Sequence, residues 1–587
     1  MRRSASPFAS LAHDRWRPLT AGGPTSSAPL LRVEGLTFRY RRGRQPAIRD
    51  LSVELEAGEV LLVAGPSGCG KSTLIRAVNG LIPHAYPGDL TGSVWIDHAR
   101  IAERPLREIA RMVGTVLQDP AKQIVGSTVE AELAFGPENL GVPPAAIRDR
   151  IAAVMARAGI VGLQGRDTAA LSGGERQLLA VAGALMLTPS LYVIDEPLAN
   201  LDPATAARLM AILRELADEG HGVVIVEHRV EEALDLRPDR VLYLDAGEAR
   251  YLGPVEGFFE VADPGVVKVP FEVALAHERR LARRAGLSEG WAATPKGAAT
   301  NVGPPRLVFE SVHVTLGDQH VLRGLSASLA QRQIVAVLGP NGSGKTTLFR
   351  TALRLLEPDA GTVTVDGERT TQRSVAQLAR VLGYVFQSPS QMLFARTVRE
   401  ELLFGPRNLG LPHDDGFAME ALRRTELHDL EGILDRPPLS LSFGQQKRLA
   451  LAIALALQPP TLVLDEPSAG QDHGTATRFM AAVAGIPGLE SVYFVTHDVD
   501  LALTHADRIL VIRDGQIAAD GSPREVVQDE EAWRACNLRR TSLIAANLAW
   551  EPAPGRFLDA VTLARAVLAH ELAGRSAGEA RAAGEGG

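Results

Sequence analysis

Only two cysteines, Cys69 and Cys536, occur in 587 residues, a usage that suits a reducing cytosol. No apolar run approaches the roughly 18 residues of a membrane span. The longest, Leu449 to Leu457, reads as a buried helix. The first 30 residues lack the uninterrupted apolar core of a signal peptide, and residues 1–30 are expected to be a disordered tail. A net charge of -7 provides no broad basic surface, so no nucleic acid is expected as a partner. With 45% hydrophobic and 22% charged residues the composition is globular, and the length exceeds a single hydrophobic core.

What the chain does have, twice, is a glycine-rich loop behind an apolar, strand-like run. Val60 to Ala64 leads into Gly65, Pro66, Ser67, Gly68, Cys69, Gly70, Lys71, Ser72 and Thr73. Ile334 to Leu338 leads into Gly339, Pro340, Asn341, Gly342, Ser343, Gly344, Lys345, Thr346 and Thr347. Each matches G-x-x-x-x-G-K-[ST], in which the glycines let backbone N–H groups converge on phosphate oxygens. The lysine supplies a charge, and the hydroxyl of Ser72 or Thr346 supplies a magnesium ligand. Two nucleoside triphosphates are therefore expected. Cys69 lies inside the first loop and could not pair without disturbing it; it reads as a tolerated small residue.

The two lysines are 274 residues apart, and the later landmarks recur near that offset. Gln118, Ser172, Asp195 and His228 follow the first lysine in the order in which Gln387, Ser442, Asp465 and His497 follow the second. This is duplication at domain scale. The expected organisation is a first domain over 31–265, a helix and flexible linker over 266–305, a second domain over 306–535, and a helical extension with a disordered tail over 536–587. Glu272 to Ala285 reads as the basic helix, and Glu289 to Pro305, rich in Ala, Gly, Thr and Pro, as the linker proper. Phe557, Val561, Ala564, Leu568 and Leu572 form one helical stripe, expected to pack on its own domain. Continuous apolar runs such as Leu191 to Ile194 and Thr461 to Leu464 alternate with helical patterns, which predicts a largely parallel sheet covered by helices.

At YVIDEP and LVLDEP an apolar strand ends in two adjacent acids. One carboxylate can reach magnesium while the next, pointing the other way, can hold an attacking water. Asp195 and Asp465 are assigned to the metal, Glu196 and Glu466 to general-base catalysis. LSGGERQ and LSFGQQKR each place Ser172 and Gly174, or Ser442 and Gly444, at the start of a long apolar helix, where anions collect.

The order of phosphate loop, glutamine, LSGGQ-like signature, Asp-Glu strand and histidine resembles that of ABC-type ATPases, over roughly residues 31–265 and 306–535. The fold this implies is α/β: two tandem P-loop NTPase domains, each a mostly parallel sheet core with an antiparallel β part and a helical subdomain. The resemblance further implies Mg-ATP held in a head-to-tail sandwich, here by intramolecular pairing of the two domains. One site would join Lys71, Ser72, Gln118, Asp195, Glu196 and His228 to Ser442 and Gly444; the other would join Lys345, Thr346, Gln387, Asp465, Glu466 and His497 to Ser172 and Gly174. The histidines would contact the γ-phosphate, and Gln118 and Gln387 would sense magnesium and water. Asp202 and Asp472 match the family's D-loops. Two departures stand out. Tyr40 lies where these ATPases stack adenine on an aromatic, while Val312 to Leu316 offers none. Phe443 replaces the first glycine of the second signature, so either its ring points away or it slows closure, and unequal hydrolysis at the two sites is the resulting hypothesis.

Downstream of each glutamine the segments QIVGSTVEAELAFGPENLG and QMLFARTVREELLFGPRNLG place Thr128 and Thr397 ten residues past Gln118 and Gln387. This pattern resembles the ATPases of energy-coupling factor (ECF) importers, which take up vitamins or cobalt and nickel ions. The resemblance implies an integral membrane scaffold subunit and a substrate-capturing membrane subunit as partners, and a cytoplasmic location, peripheral on the inner face of the cell membrane. The rival from another class is a soluble tandem ATPase of the ABC-F type acting on ribosomes, whose halves are joined by a long charged arm; here the linker is short and rich in small residues. Tandem sugar-importer ATPases are a nearer rival, but commonly carry a degenerate second phosphate loop, and both loops here are intact.

Overall fold

The computed structural model describes residues 29–41, 43–198, 201–285, 302–550 and 557–571. Nearly all of the expected N-terminal tail, most of the linker, and Leu572 with the tail beyond it lie outside the described residues. The chain divides into two compact units, Met1–Val269 and Pro270–Gly587.

The first unit is built on a six-stranded sheet in the spatial order Val113–Val116, Leu191–Asp195, Gly222–Val226, Val60–Ala64, Arg240–Asp245 and Glu248–Gly253. The first five run parallel and the last is antiparallel. Every residue of Val60–Ala64, Leu191–Asp195 and Gly222–Val226 is buried. Strands enclosed on both faces need apolar side chains at every position, so these segments read as unbroken hydrophobic runs. A second, antiparallel sheet takes the order Ile48–Leu55, Leu31–Tyr40, Gly88–Ile96 and Ala99–Arg100. Burial mostly alternates along Leu31–Tyr40, because only one of its faces meets the core. Phe38 and Leu51 from this sheet share that core with Val63, Val193 and Leu244 from the other.

The second unit repeats the plan. Its six-stranded sheet runs Leu382–Val385, Thr461–Asp465, Ser491–Val495, Ile334–Leu338, Arg508–Arg513 and Gln516–Gly521, again with one antiparallel edge. Its antiparallel sheet runs Gln319–Ala330, Pro305–Leu316, Ala360–Val365 and Glu368–Arg369. Helices Val398–Asn408, Asp415–Arg424 and Phe443–Leu455 pack around their own apolar cluster, which includes Leu402, Leu422 and Leu449.

The basic helix Phe271–Ala285 belongs to this second unit. Phe271 packs with Leu543, Leu558, Leu563 and Ala564, its N–H donates to Ser542 Oγ at 2.7 Å, and buried Glu278 accepts from Arg565 Nε at 2.9 Å. Of the C-terminal stripe, Phe557, Ala564 and Leu568 are buried and Val561 half-buried. No helix among the described residues is long and apolar enough to cross a membrane.

Adjacent parallel strands bring their C-terminal ends to one edge of the sheet. The first phosphate loop, Gln118, Glu196 and His228 each follow directly on one of four neighbouring strands. Landmarks spread over more than 150 residues of sequence are thereby collected in one crevice, where open α/β sheets bind their ligands.

Candidate functional site

Each phosphate loop is shaped by glycines that no other residue could replace. Gly65 has φ 148°, and a Cβ there would lie 2.2 Å from the Leu244 carbonyl oxygen. Gly339 has φ 146°, with the Ile512 carbonyl oxygen 2.1 Å from the same point. Helices Lys71–Val78 and Lys345–Ala352 begin at the ends of these loops and contribute N–H groups without intrahelical partners. Lys71 Nζ is buried and donates to the carbonyls of Gly65 at 2.9 Å and Pro66 at 2.8 Å. Lys345 does the same to Gly339 and Pro340, both at 2.8 Å. Cys69 is buried, and burial pushes its thiol up despite Lys71 beside it, so a reactive thiolate is disfavoured.

At the crevice, Glu196 Oε2 accepts from Gln118 Nε2 at 2.6 Å, and Glu196 Oε1 lies 2.8 Å from His228 Nε2. In the second unit Glu466 Oε1 lies 2.9 Å from His497 Nε2. Gln387 occupies the position after strand Leu382–Val385 that corresponds to Gln118. Both glutamates sit in the left-handed backbone region, Glu196 at φ 46° and Glu466 at φ 52°. Such a conformation costs a non-glycine residue about 1 kcal/mol or more and persists where the surroundings enforce it. Here a proline follows, and the glutamate N–H is tied at 2.9 Å to the neighbouring strand, at Val226 or Val495. Burial would raise the Glu466 carboxyl, but the charge and hydrogen bonds of His497 outweigh it and hold the group below its usual value.

Asp195 and Asp465 end their strands buried. Burial, reinforced by the adjacent Glu196 carboxylate, pushes Asp195 up to about 7, and one of its buried oxygens has no hydrogen-bond partner. A buried carboxylate oxygen without a donor fits a cation. Asp465 accepts from Thr346 Oγ1 at 3.0 Å and from Tyr384 Oη at 2.8 Å. No group of three or more His, Cys, Asp or Glu side chains that could hold a metal occurs among the described residues. Magnesium bound by one carboxylate and one hydroxyl would therefore need phosphate oxygens and water to complete its shell, the usual arrangement for that ion beside a nucleotide.

Ser172 and Ser442 are N-caps of the helices Gly173–Leu185 and Phe443–Leu455, each in a reciprocal capping box with Glu175 or Gln445. Their oxygens accept from the helix, leaving each hydroxyl hydrogen able to donate to an anion. No heavy atom outside the immediate chain lies within 4 Å of a Cβ built on Gly173 or Gly444, while Gly174 is buried. Phe443 is 43% exposed, with its ring centroid 5.7 Å from Lys447 Nζ one turn on. Asp202 and Asp472 cap the helices Pro203–Asp218 and His473–Ala484.

Tyr40 ends its strand half-buried, edge-on to Phe38 with centroids 4.8 Å apart. Its hydroxyl accepts from Arg76 at 2.7 Å and lies 3.2 Å from Thr73 Oγ1, which ties the ring to the helix after the phosphate loop. Sequence reasoning missed Arg76, Tyr384 and Lys447. The signal available for Arg76 was its recurrence as Arg350 at the same 274-residue offset as the loop lysines.

The ABC transporter family model matches residues 48–199 and 322–469. The "Putative ABC transporter ATP-binding protein" of Methanosarcina acetivorans is 34% identical over 87% of this chain and 89% of its own length. The "Putative HMP/thiamine import ATP-binding protein YkoD" of Bacillus subtilis is 32% identical over 85% of this chain and 93% of its own. Among solved structures, cbiO1 from Clostridium perfringens, described as part of the ABC transporter complex cbiONQ, shares 32% identity over 40% of this chain and 95% of its own, with a TM-score of 0.35. The chain belongs to the ABC transporter ATP-binding family, with two ATPase domains in one polypeptide. ATPases of this class bind ATP and work with membrane subunits.

Proposed function

We propose that this chain is the energy-coupling ATPase of an ECF-type importer, driving uptake of a vitamin or a transition-metal ion through a membrane scaffold subunit and a substrate-capturing subunit. In this reading Lys71 and Lys345 hold the nucleotide phosphates, Asp195 with Ser72 and Asp465 with Thr346 hold magnesium, and Glu196 and Glu466 take the proton of the attacking water. Gln118 and His228, with Gln387 and His497, orient that chemistry. Location on the inner face of the membrane follows from the partners.

One observation carries the coupling part of the reading. In both units the segment after the crevice glutamine exposes two large apolar side chains at equivalent positions. Val125 is 61% and Phe135 50% exposed; Phe394 is 67% and Phe404 53% exposed. The same device presents them. Glu132 Oε2 accepts from Val125 N–H at 2.8 Å and Gly126 N–H at 2.7 Å, and Glu401 Oε2 accepts from Phe394 and Ala395 N–H, both at 2.8 Å. Thr128 and Thr397 cap the helices that follow. Phe394 and Phe404 meet edge to face, centroids 4.9 Å apart. A twice-built apolar patch on a braced turn fits an apolar helix of a membrane partner. The 32% identity with a relative named for HMP/thiamine import supports import.

Phe394→Ser with Phe404→Ser should leave ATP hydrolysis by the isolated protein within about twofold, since both rings are exposed, yet lower substrate uptake and recovery of membrane subunits about tenfold. Unchanged uptake and co-purification would sink the docking assignment. Co-sedimentation with ribosomes instead of membranes would favour the soluble alternative.

A further inference from the structure

The turn that carries the general base is braced by different chemistry in the two units. In the second, Lys447 is buried in the helix Phe443–Leu455, and its Nζ donates to the carbonyls of Glu466 at 3.2 Å, Pro467 at 3.0 Å and Ala469 at 2.5 Å. All three hydrogens of one ammonium thus converge on the turn that leaves the Asp-Glu strand. Burial pulls that ammonium down to about 7, so the cation is costly there and is held by its acceptors.

In the first unit the aligned residue is Gln177, also buried, whose amide nitrogen has no hydrogen-bond partner. There Leu198, two residues past Glu196, is held by side chains that follow the strand Gly222–Val226. Glu227 Oε1 accepts from Leu198 N–H at 2.8 Å, and Arg229 donates to the Leu198 carbonyl at 3.0 Å. Their counterparts in the second unit, Thr496 and Asp498, grip the turn less: Thr496 Oγ1 lies 3.5 Å from the hydroxyl of Ser468, the residue equivalent to Leu198, and accepts from Asp498 N–H at 3.0 Å, while Asp498 Oδ1 accepts from Leu501 N–H at 3.1 Å. A buried carboxylate on N–H groups with an arginine on one carbonyl in the first unit is replaced by a single buried ammonium on three carbonyls in the second. Phe443, the bulky departure in the second signature, lies over the same Lys447.

We propose that Lys447 is the positioning residue of the second hydrolytic turn, holding Glu466 in its left-handed conformation and joining it to the helix that Ser442 caps. It rests on the reading of Glu466 as general base. The first unit performs this task with Glu227 and Arg229, so the two turns answer to different substitutions.

The test uses the full chain carrying Glu196→Gln, so that the turnover measured is the one Glu466 serves. Adding Lys447→Gln, which installs the first unit's residue, should lower kcat on the order of ten- to hundredfold while KM for ATP moves less than about twofold, because displacing a base harms chemistry more than binding. Adding Thr496→Glu as well, which supplies the first unit's anion, should return at least about half of the lost rate. Where Glu196→Gln leaves no turnover the sites are obligatorily coupled, and the same drop and recovery are read in the otherwise natural chain. An unchanged kcat overturns the proposal. So does a fall in kcat that comes with raised KM and a lower melting temperature and is not recovered by Thr496→Glu, since that is the pattern of damaged packing. If Glu466→Gln itself leaves turnover intact, the general-base reading falls and the clamp with it.

Discussion

Replacing Glu196 and Glu466 together by glutamine is expected to lower ATP hydrolysis about a thousandfold and to leave ATP binding within about threefold, the span expected when a positioned general base is lost. The amide is nearly isosteric and can keep the contacts now made by Gln118, His228 and His497. It cannot accept a proton from water. The two single substitutions should cost unequal amounts. Glu196 is held through its side chain by Gln118 and His228, whereas Glu466 meets His497 and has its backbone carbonyl held by Lys447. Phosphate release from each purified variant measures the difference. Equal losses would remove the asymmetry hypothesis, and a double variant that still turns over would remove both glutamates from the base role.

Much of the fold was legible because its sequence signals are backbone requirements. Gly65 and Gly339 are glycine for want of room beside the Leu244 and Ile512 carbonyls, and the all-buried strand Leu191–Asp195 is apolar at every position before its terminal acid. Such constraints are local and survive duplication, so they stand out in one chain. What stayed hidden depends on which distant residues the sheet makes neighbours. Tyr384 reaches Asp465 only because Leu382–Val385 and Thr461–Asp465 pair in parallel, across 81 residues of sequence. Lys447 reads as an ordinary polar position in a helix, and only the fold shows three carbonyls beneath it. The helix Phe271–Ala285 looked like part of a connection, and its packing against Leu543 and Leu563 has no signature in its own fifteen residues.

Substituting either loop lysine by alanine should remove one nucleotide from the protein's binding capacity. Lys71 and Lys345 are buried and already lie on two carbonyls apiece, so their ammonium groups are fixed in the loop before any phosphate arrives. Alanine leaves those carbonyls without their donor and the phosphate charge uncompensated in a partly desolvated crevice, a penalty that should weaken affinity at that loop about a hundredfold or more. Binding to the folded state raises stability by RT ln(1 + [L]/Kd), about 2.7 kcal/mol per site at a ligand concentration of 100 Kd. Lys71→Ala and Lys345→Ala should each therefore erase the share of the ATP-induced rise in melting temperature contributed by their own unit, and the double variant should erase nearly all of it. Direct titration with a fluorescent ATP analogue should fall from two sites to one, then to none. If the double variant keeps the full thermal shift, neither loop is the seat of nucleotide binding, and the metal and base assignments built around them lose their substrate.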